Sequence, residues 1–126
     1  MVPAELRYTK DHEWVRVEGD EAVVGITQYA ADQLGDIVFV ELPDAGRALD
    51  RHATFGVVES VKAVSDLFAP VAGEVTATND DLTGTPEVIN TDPYGAGWML
   101  RVRLGDPAQV DALLDASAYE QLTAGG

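Results

Sequence analysis

Phe55-Gly56-Val57-Val58-Glu59-Ser60-Val61-Lys62-Ala63-Val64-Ser65-Asp66-Leu67-Phe68-Ala69-Pro70-Val71-Ala72-Gly73-Glu74-Val75 is the stretch that decides the fold. Short apolar runs lie on both sides of Lys62. They read as two strands meeting at a tight turn, with Pro70 and Gly73 breaking the chain before another strand at 74–77. Outward from here the same pattern repeats. Residues 13–17 and 22–27 form a hairpin across Glu18-Gly19-Asp20, and 37–42 is a strand stopped by Pro43. Residues 98–104 alternate apolar and polar side chains, as a half-buried strand does. Short strands with frequent turn residues predict a sandwich or small barrel.

Helix is expected in three places. Residues 28–34 end at Gly35, and a turn-rich stretch from 79 to 90 holds a single turn at 86–89. Near the end, Asp106 is a candidate N-cap with Pro107 at the first helical position, and Val110, Leu113 and Leu114 fall on one face. Ser117 with Glu120 matches a capping box for a last short helix. The reading is a mainly β chain with short helices and a C-terminal helical segment, one domain over 1–126.

Composition narrows the function. Eight basic residues face 22 acidic ones, a net charge of −14. Such a surface repels phosphate backbones and anionic lipid, so no nucleic-acid or membrane partner is expected. It suits partners with basic clefts. There is no cysteine, which excludes disulfides, thiol catalysis and cysteine-based metal sites, and two histidines are too few for a three-histidine site. No metal is expected. Any redox group has to be added to the chain. The N-terminal residues lack the apolar core of a signal peptide, so a cytoplasmic location is the expectation; a monomer is expected as well.

Dinucleotide, nucleotide-triphosphate, esterase and zinc-protease motifs are all missing. What remains is an amine. Only Lys10 and Lys62 are lysines, and Lys62 stands at a hairpin tip between the small apolar residues Val61 and Ala63. A lysine there is a protruding amine on a rigid mount, which a modifying enzyme can grip without unfolding the chain.

The segment around Lys62 resembles the acceptor hairpin of the glycine cleavage system H protein family of lipoyl carriers. So do Tyr8-Thr9-Lys10-Asp11-His12-Glu13-Trp14-Val15, Val24-Gly25-Ile26-Thr27, Leu34 through Pro43, and Asp92-Pro93-Tyr94-Gly95-Ala96-Gly97-Trp98, in order over about residues 6–122. The resemblance implies a barrel-sandwich hybrid, as in lipoyl and biotinyl carriers, and lipoate joined by an amide to Lys62. It implies a carrier, not an enzyme. A pyridoxal-phosphate glycine decarboxylase would load the aminomethyl group of glycine. A tetrahydrofolate-dependent aminomethyltransferase would unload it, and dihydrolipoamide dehydrogenase would take the electrons. Lipoate-attaching enzymes are further implied partners. Lysine plus lipoyl spans on the order of 14 Å, long enough to enter a partner's active site.

The resemblance also assigns neighbours. Glu59 and Gly73, three before and eleven after the lysine, match positions used by the lipoate-attaching enzyme. Glu13, Ser65 and Asp66 match a cradle for the parked, amine-loaded arm, where carboxylates would hold a cation. Trp14 and Trp98 read as packing residues, His12 as structural and Lys10 as a loop charge. Two positions depart from the family pattern. His52-Ala53 replaces a Gly-Asp turn, so a residue with a β-carbon stands where positive φ is expected, and Val64 replaces a smaller residue. A relay that passes lipoyl or octanoyl groups to other proteins is the alternative function. A biotin carrier would have methionines where Val61 and Ala63 stand, and nothing in the sequence joins a histidine to Ser65 and Asp66 as a hydrolase would need.

Overall fold

The computed structural model describes residues 2–124; Met1, Gly125 and Gly126 of the expected domain lie outside them. It folds them into two antiparallel sheets. The strands are β1 (Arg7–Tyr8), β2 (Glu13–Glu18), β3 (Glu21–Ile26), β4 (Ile37–Glu41), β5 (Ala48–Leu49), β6 (Thr54–Ser60), β7 (Val64–Phe68), β8 (Gly73–Thr78) and β9 (Leu100–Leu104). The larger sheet runs β1-β2-β3-β9-β8-β5 and the smaller β4-β6-β7. Their facing sides enclose one apolar core, with Val24, Val58, Phe55, Leu67, Val75, Met99 and Val102 almost fully buried. A second cluster of Leu6, Tyr8, Trp14, Val23 and Tyr119 lies beside it, with Trp98 half-buried against it. This is the expected mainly β architecture, and both tryptophans are packing residues.

All seven strands expected from sequence form. The additions are β1 and β5, two residues each, too short for any period to show and defined only by their partners Val15 and Trp14, and Glu74 and Gly73. The last strand starts at Leu100 rather than Trp98, because Trp98 N donates to Gly95 O in a turn. Five helices form: α1 (Gln28–Leu34), α2 (Asp81–Gly84), α3 (Val88–Thr91), α4 (Ala108–Asp111) and α5 (Ala116–Ala124). The Asp106 carboxylate accepts from Ala108 N at 3.1 Å, so that cap is as expected. The α5 cap is not. Asp115 accepts from Ala118 N at 2.8 Å, which puts Ser117 inside the helix, and Glu120 instead accepts from Val2 N at 3.2 Å. Leu114 also leaves the helical face, because its backbone bridges to Tyr8 through two hydrogen bonds of 2.8 and 2.9 Å.

Among the described residues two with side chains hold left-handed backbone: His12 and His52, each at φ 72°. The positive φ expected at His52 is therefore kept without glycine, at the cost a β-carbon imposes there. The two histidines are not equivalent. The His52 side chain is exposed, whereas His12 Nδ1 lies 2.7 Å from the Tyr119 hydroxyl and its ring stands against Tyr29. The same substitution should thus act with opposite signs. We expect His52→Gly to stabilise the fold by about 0.5–1 kcal/mol in urea unfolding, through relief of backbone strain. His12→Gly should destabilise it by about 1–2 kcal/mol, because a partly buried hydrogen bond and a ring contact go with the imidazole.

Candidate functional site at the Lys62 hairpin tip

Three residues, Val61, Lys62 and Ala63, join β6 to β7. Ser60 N donates to Ala63 O at 2.8 Å and closes the turn. The Ser60 hydroxyl oxygen accepts from Lys62 N at 3.3 Å and Ala63 N at 3.1 Å, so the serine holds the backbone on both sides of the lysine Cα. The tip is also tied sideways: Val61 N donates to Asp36 O at 3.0 Å in the loop between α1 and β4. That loop is pinned by Asn90 of α3, whose amide donates to Gly35 O and whose carbonyl oxygen accepts from Ile37 N, both at 2.9 Å. Gly35, at φ 83°, ends α1, and the Lys62 stem passes over it with Cε 3.5 Å from where a β-carbon would sit. Lys62 itself is exposed and takes part in no ion pair among the described residues. Lys10 is exposed in the turn before β2.

The clamp residues Ser60, Asp36 and Asn90 were not among the sequence candidates. Ser60 had a signal, a hydroxyl residue at a strand end two before the tip. Asn90 had none, since its role exists only once α3 packs beside α1.

Register fixes the remaining candidates. Residues paired directly across strands share a face. Phe39, Glu59 and Val64 form one row across the small sheet, and Glu41, Val57 and Asp66 form the next. The row of Val40, Val58 and Ser65 lies between them on the opposite, inward face, where Val40 and Val58 are buried. Ser65 and Asp66 thus point to opposite faces of β7, and the structure does not bring them together. The Ser65 hydroxyl donates to Asp66 O at 3.4 Å. Gly73 lies in the other sheet, between Leu104 of β9 and Leu49 of β5. A β-carbon there would collide with Arg103 O and the Val102 side chain, so close strand packing requires glycine whatever else the position does.

Glu13 is the unusual member. It is 2% exposed, at the start of β2. Its Oε1 accepts from the Thr9 hydroxyl at 2.6 Å and its Oε2 from Phe68 N at 3.4 Å, so it spans from β2 to the far end of β7. Burial pushes its pKa up to about 7; the hydrogen bonds from Thr9 and Phe68 oppose this, and Asp11 adds to it. Next to it, His12 Nδ1, the Tyr119 hydroxyl and the Thr27 hydroxyl are linked at 2.7 and 2.8 Å, and Thr27 caps α1 by accepting from Ala30 N at 3.2 Å. Burial lowers the His12 pKa, which favours the neutral ring. The cap of α1 is therefore beside Glu13, and its last residue runs into the loop under Lys62.

Among the described residues no group of three or more His, Asp or Glu is placed to hold a metal, and no helix is long and apolar enough to cross a membrane.

The model of the glycine cleavage H-protein family matches residues 6–125. A glycine cleavage system H protein of Magnetococcus marinus is 66% identical over 118 residues, covering 94% of this chain and 84% of that one. One from Symbiobacterium thermophilum is 58% identical over 125 residues, 99% of this chain and 98% of that one. The crystal structure of a glycine cleavage system H protein from Mycobacterium marinum matches with a TM-score of 0.90 at 41% identity, covering 98% of this chain and 99% of that one.

The environment of Glu13 makes stability depend on pH. Its pKa is about 7 folded against 4.5 as its ordinary value. Between these values the folded state holds a proton that the unfolded state has lost. The stabilisation is full below pH 4.5 and disappears as pH rises through 7, on the order of 3 kcal/mol in all. Glu13→Gln removes the titration. The wild-type-minus-variant difference in unfolding free energy should therefore fall from pH 4.5 to 7 and stay flat above; equal slopes for both proteins would show an unperturbed carboxyl.

Proposed function

The chain belongs to the glycine cleavage H-protein family, and from that membership we propose that Lys62 is the lysine that bears its lipoyl group. The protein is a carrier and not an enzyme; it bears lipoate and shuttles one-carbon units within the glycine cleavage system. Its partners are the other proteins of that system. In our reading these are the pyridoxal-phosphate decarboxylase, the aminomethyltransferase and dihydrolipoamide dehydrogenase. A lipoate-attaching enzyme acts on the chain beforehand.

The observation that carries the assignment is the clamped tip. Lys62 has a primary amine in solvent on a backbone held by Ser60 and Asp36, and among the described residues it pairs with no carboxylate. These residues fit an amide-linked arm: nothing has to move for the amine to be reached. Once attached, lipoate supplies a dithiolane that accepts and returns an aminomethyl group and two electrons. The chain supplies the mount and a place for the far end. β7 is the edge strand of its sheet, five residues long, or about 14 Å from end to end. It starts beside the Lys62 tip and ends at Phe68, whose N–H is on Glu13. An arm of on the order of 14 Å laid along that edge reaches Glu13. An amine at its end is a cation, and Glu13 is the buried carboxylate at that distance. Ser65 and Asp66 flank the same edge on its two faces. Gly73 acts on lipoylation through the packing of β8 on β9, and Glu59 through direct contact.

Lys62→Arg keeps the charge and removes the acylable amine. We expect it to fold normally and to gain no lipoyl mass, whereas Lys10→Arg gains one adduct. Acylation of Lys62 also takes the net charge from −14 to −15, so the modified form should run faster on a native gel. A lipoyl group mapped to the Lys10 peptide would refute the assignment.

A further inference from the structure

The Glu13 carboxyl is held unevenly. The Thr9 hydroxyl lies 2.6 Å from its Oε1, whereas the Phe68 N–H reaches its Oε2 only at 3.4 Å. The short bond stands on a rigid turn. Thr9 N donates to Glu13 O at 2.9 Å and His12 N to Thr9 O at 3.2 Å. The Thr9 hydroxyl oxygen accepts from Asp11 N at 3.2 Å and from Glu13 N at 3.1 Å. A hydroxyl accepts two hydrogen bonds and donates one. Both acceptor sites are taken, so the single hydrogen points to Oε1. His12, at φ 72°, turns the chain into β2 immediately before Glu13.

We propose that Thr9 is a positioning residue for the parked arm: its hydroxyl fixes Glu13 through Oε1 and leaves Oε2 as the oxygen that receives the amine. This deepens the reading that Glu13 meets the loaded arm, and rests on it. Oε2 is the oxygen beside Phe68, the last residue of β7, where an arm laid along that edge finishes. Its one bond is long, so acceptor capacity remains for an ammonium. A loose Glu side chain would lose rotamer freedom each time an amine arrived; here that freedom is already gone in the folded chain. The hydroxyl also favours the charged carboxylate, the form that attracts a cation, against the burial that disfavours it. The titratable groups about Glu13 are Lys10, Asp11 and His12 in the same turn and Tyr119 of α5. From β7 comes the Phe68 N–H, with Asp66 two residues before it. Among the described residues none of these bonds to Oε1, so Thr9 alone sets that oxygen.

The test uses lipoylated protein loaded by purified glycine decarboxylase with glycine, then separated from both and kept without tetrahydrofolate. Hydrolysis of the loaded arm breaks the carbon–sulfur bond, whose electron pair takes a proton from water to give the thiol. The carbon, bonded to the water oxygen, leaves as formaldehyde and the nitrogen as ammonium. Ammonia against time thus reads how long the arm stays sheltered. Thr9→Val keeps the shape and removes the hydroxyl; it should speed ammonia release about tenfold. Thr9→Ser, which keeps the hydroxyl, should restore the slow rate. A second measurement does not involve the arm. The Glu13 carboxyl, followed by carbon-13 NMR, should titrate at about 7 in the wild type, unchanged in Thr9→Ser and higher in Thr9→Val. Melting temperatures establish that each variant is folded. If Thr9→Val is not, Thr9→Ser decides, and its departure from the wild type in either measurement overturns the proposal. So does wild-type release by folded Thr9→Val while Glu13→Gln releases faster, which keeps the amine on Glu13 and takes the role from Thr9. Wild-type release by Glu13→Gln is a separate failure, because it refutes the reading of Glu13 itself.

Discussion

A swinging arm delivers its end reliably only if its base stays still. In this protein the proposed base, Lys62, is held by a few hydrogen bonds: Ser60 N to Ala63 O, Val61 N to Asp36 O, and the two N–H groups received by the Ser60 hydroxyl oxygen. Much of the surrounding structure serves that clamp. Asp36 can accept from Val61 only because Asn90 fixes residues 35–37. Asn90 is in place because Ile89 beside it is fully buried in the core. The short helices α1 and α3 thus earn their place by positioning a loop, which explains why such brief, weakly helical segments persist.

The other end of the arm's path is built on a different constraint. An acidic protein buries a carboxylate at Glu13 and gives it two hydrogen bonds but, among the described residues, no ion pair. Burial without an opposite charge is costly, as its raised pKa expresses. In the proposed reading the missing cation arrives with the cargo. A neutral arm end gains little there, whereas an amine-bearing end gains a charge-assisted bond, so loading itself would favour parking. The His12, Tyr119 and Thr27 chain beside Glu13 links the turn before β2, the C-terminal helix and the α1 cap.

Much of this was legible in the sequence. Val and Phe clusters separated by Gly and Pro marked all the long strands, and Lys62 stood out because the chain has only two lysines. Even the separation of Ser65 from Asp66 was available, because consecutive residues on a strand face opposite ways. What was not legible depends on tertiary partners. β1 and β5 have two residues each and are strands only by pairing. Asp115 and Ser117 are both good caps, and the choice between them follows from the Leu114 bridge to Tyr8, which fixes where the chain turns into α5. Gly73 was a recognition position only by the family resemblance. Its need for hydrogen in place of a side chain comes from Arg103, thirty residues away.

Among the described residues the ion pairs, Arg16 and Arg101 with Glu18, Arg101 with Glu21, and Arg103 with Glu74, all belong to the large sheet. They partly neutralise that side. The small sheet has Glu41, Glu59 and Asp66 outward and no basic residue on its strands. Arg47 stands at one end of it, donating to Thr54 O at 3.3 Å, and Lys62 at the other. Acylation of Lys62 would remove the cation at the tip. Each isolated surface pair is worth little to stability. Their placement matters more for encounter, since fields persist about 8 Å at physiological ionic strength and orient a basic partner before contact. In the proposed reading the cation lost on acylation is the one at the tip, so the modified end of the small sheet is more acidic than the unmodified one and draws a basic partner more strongly.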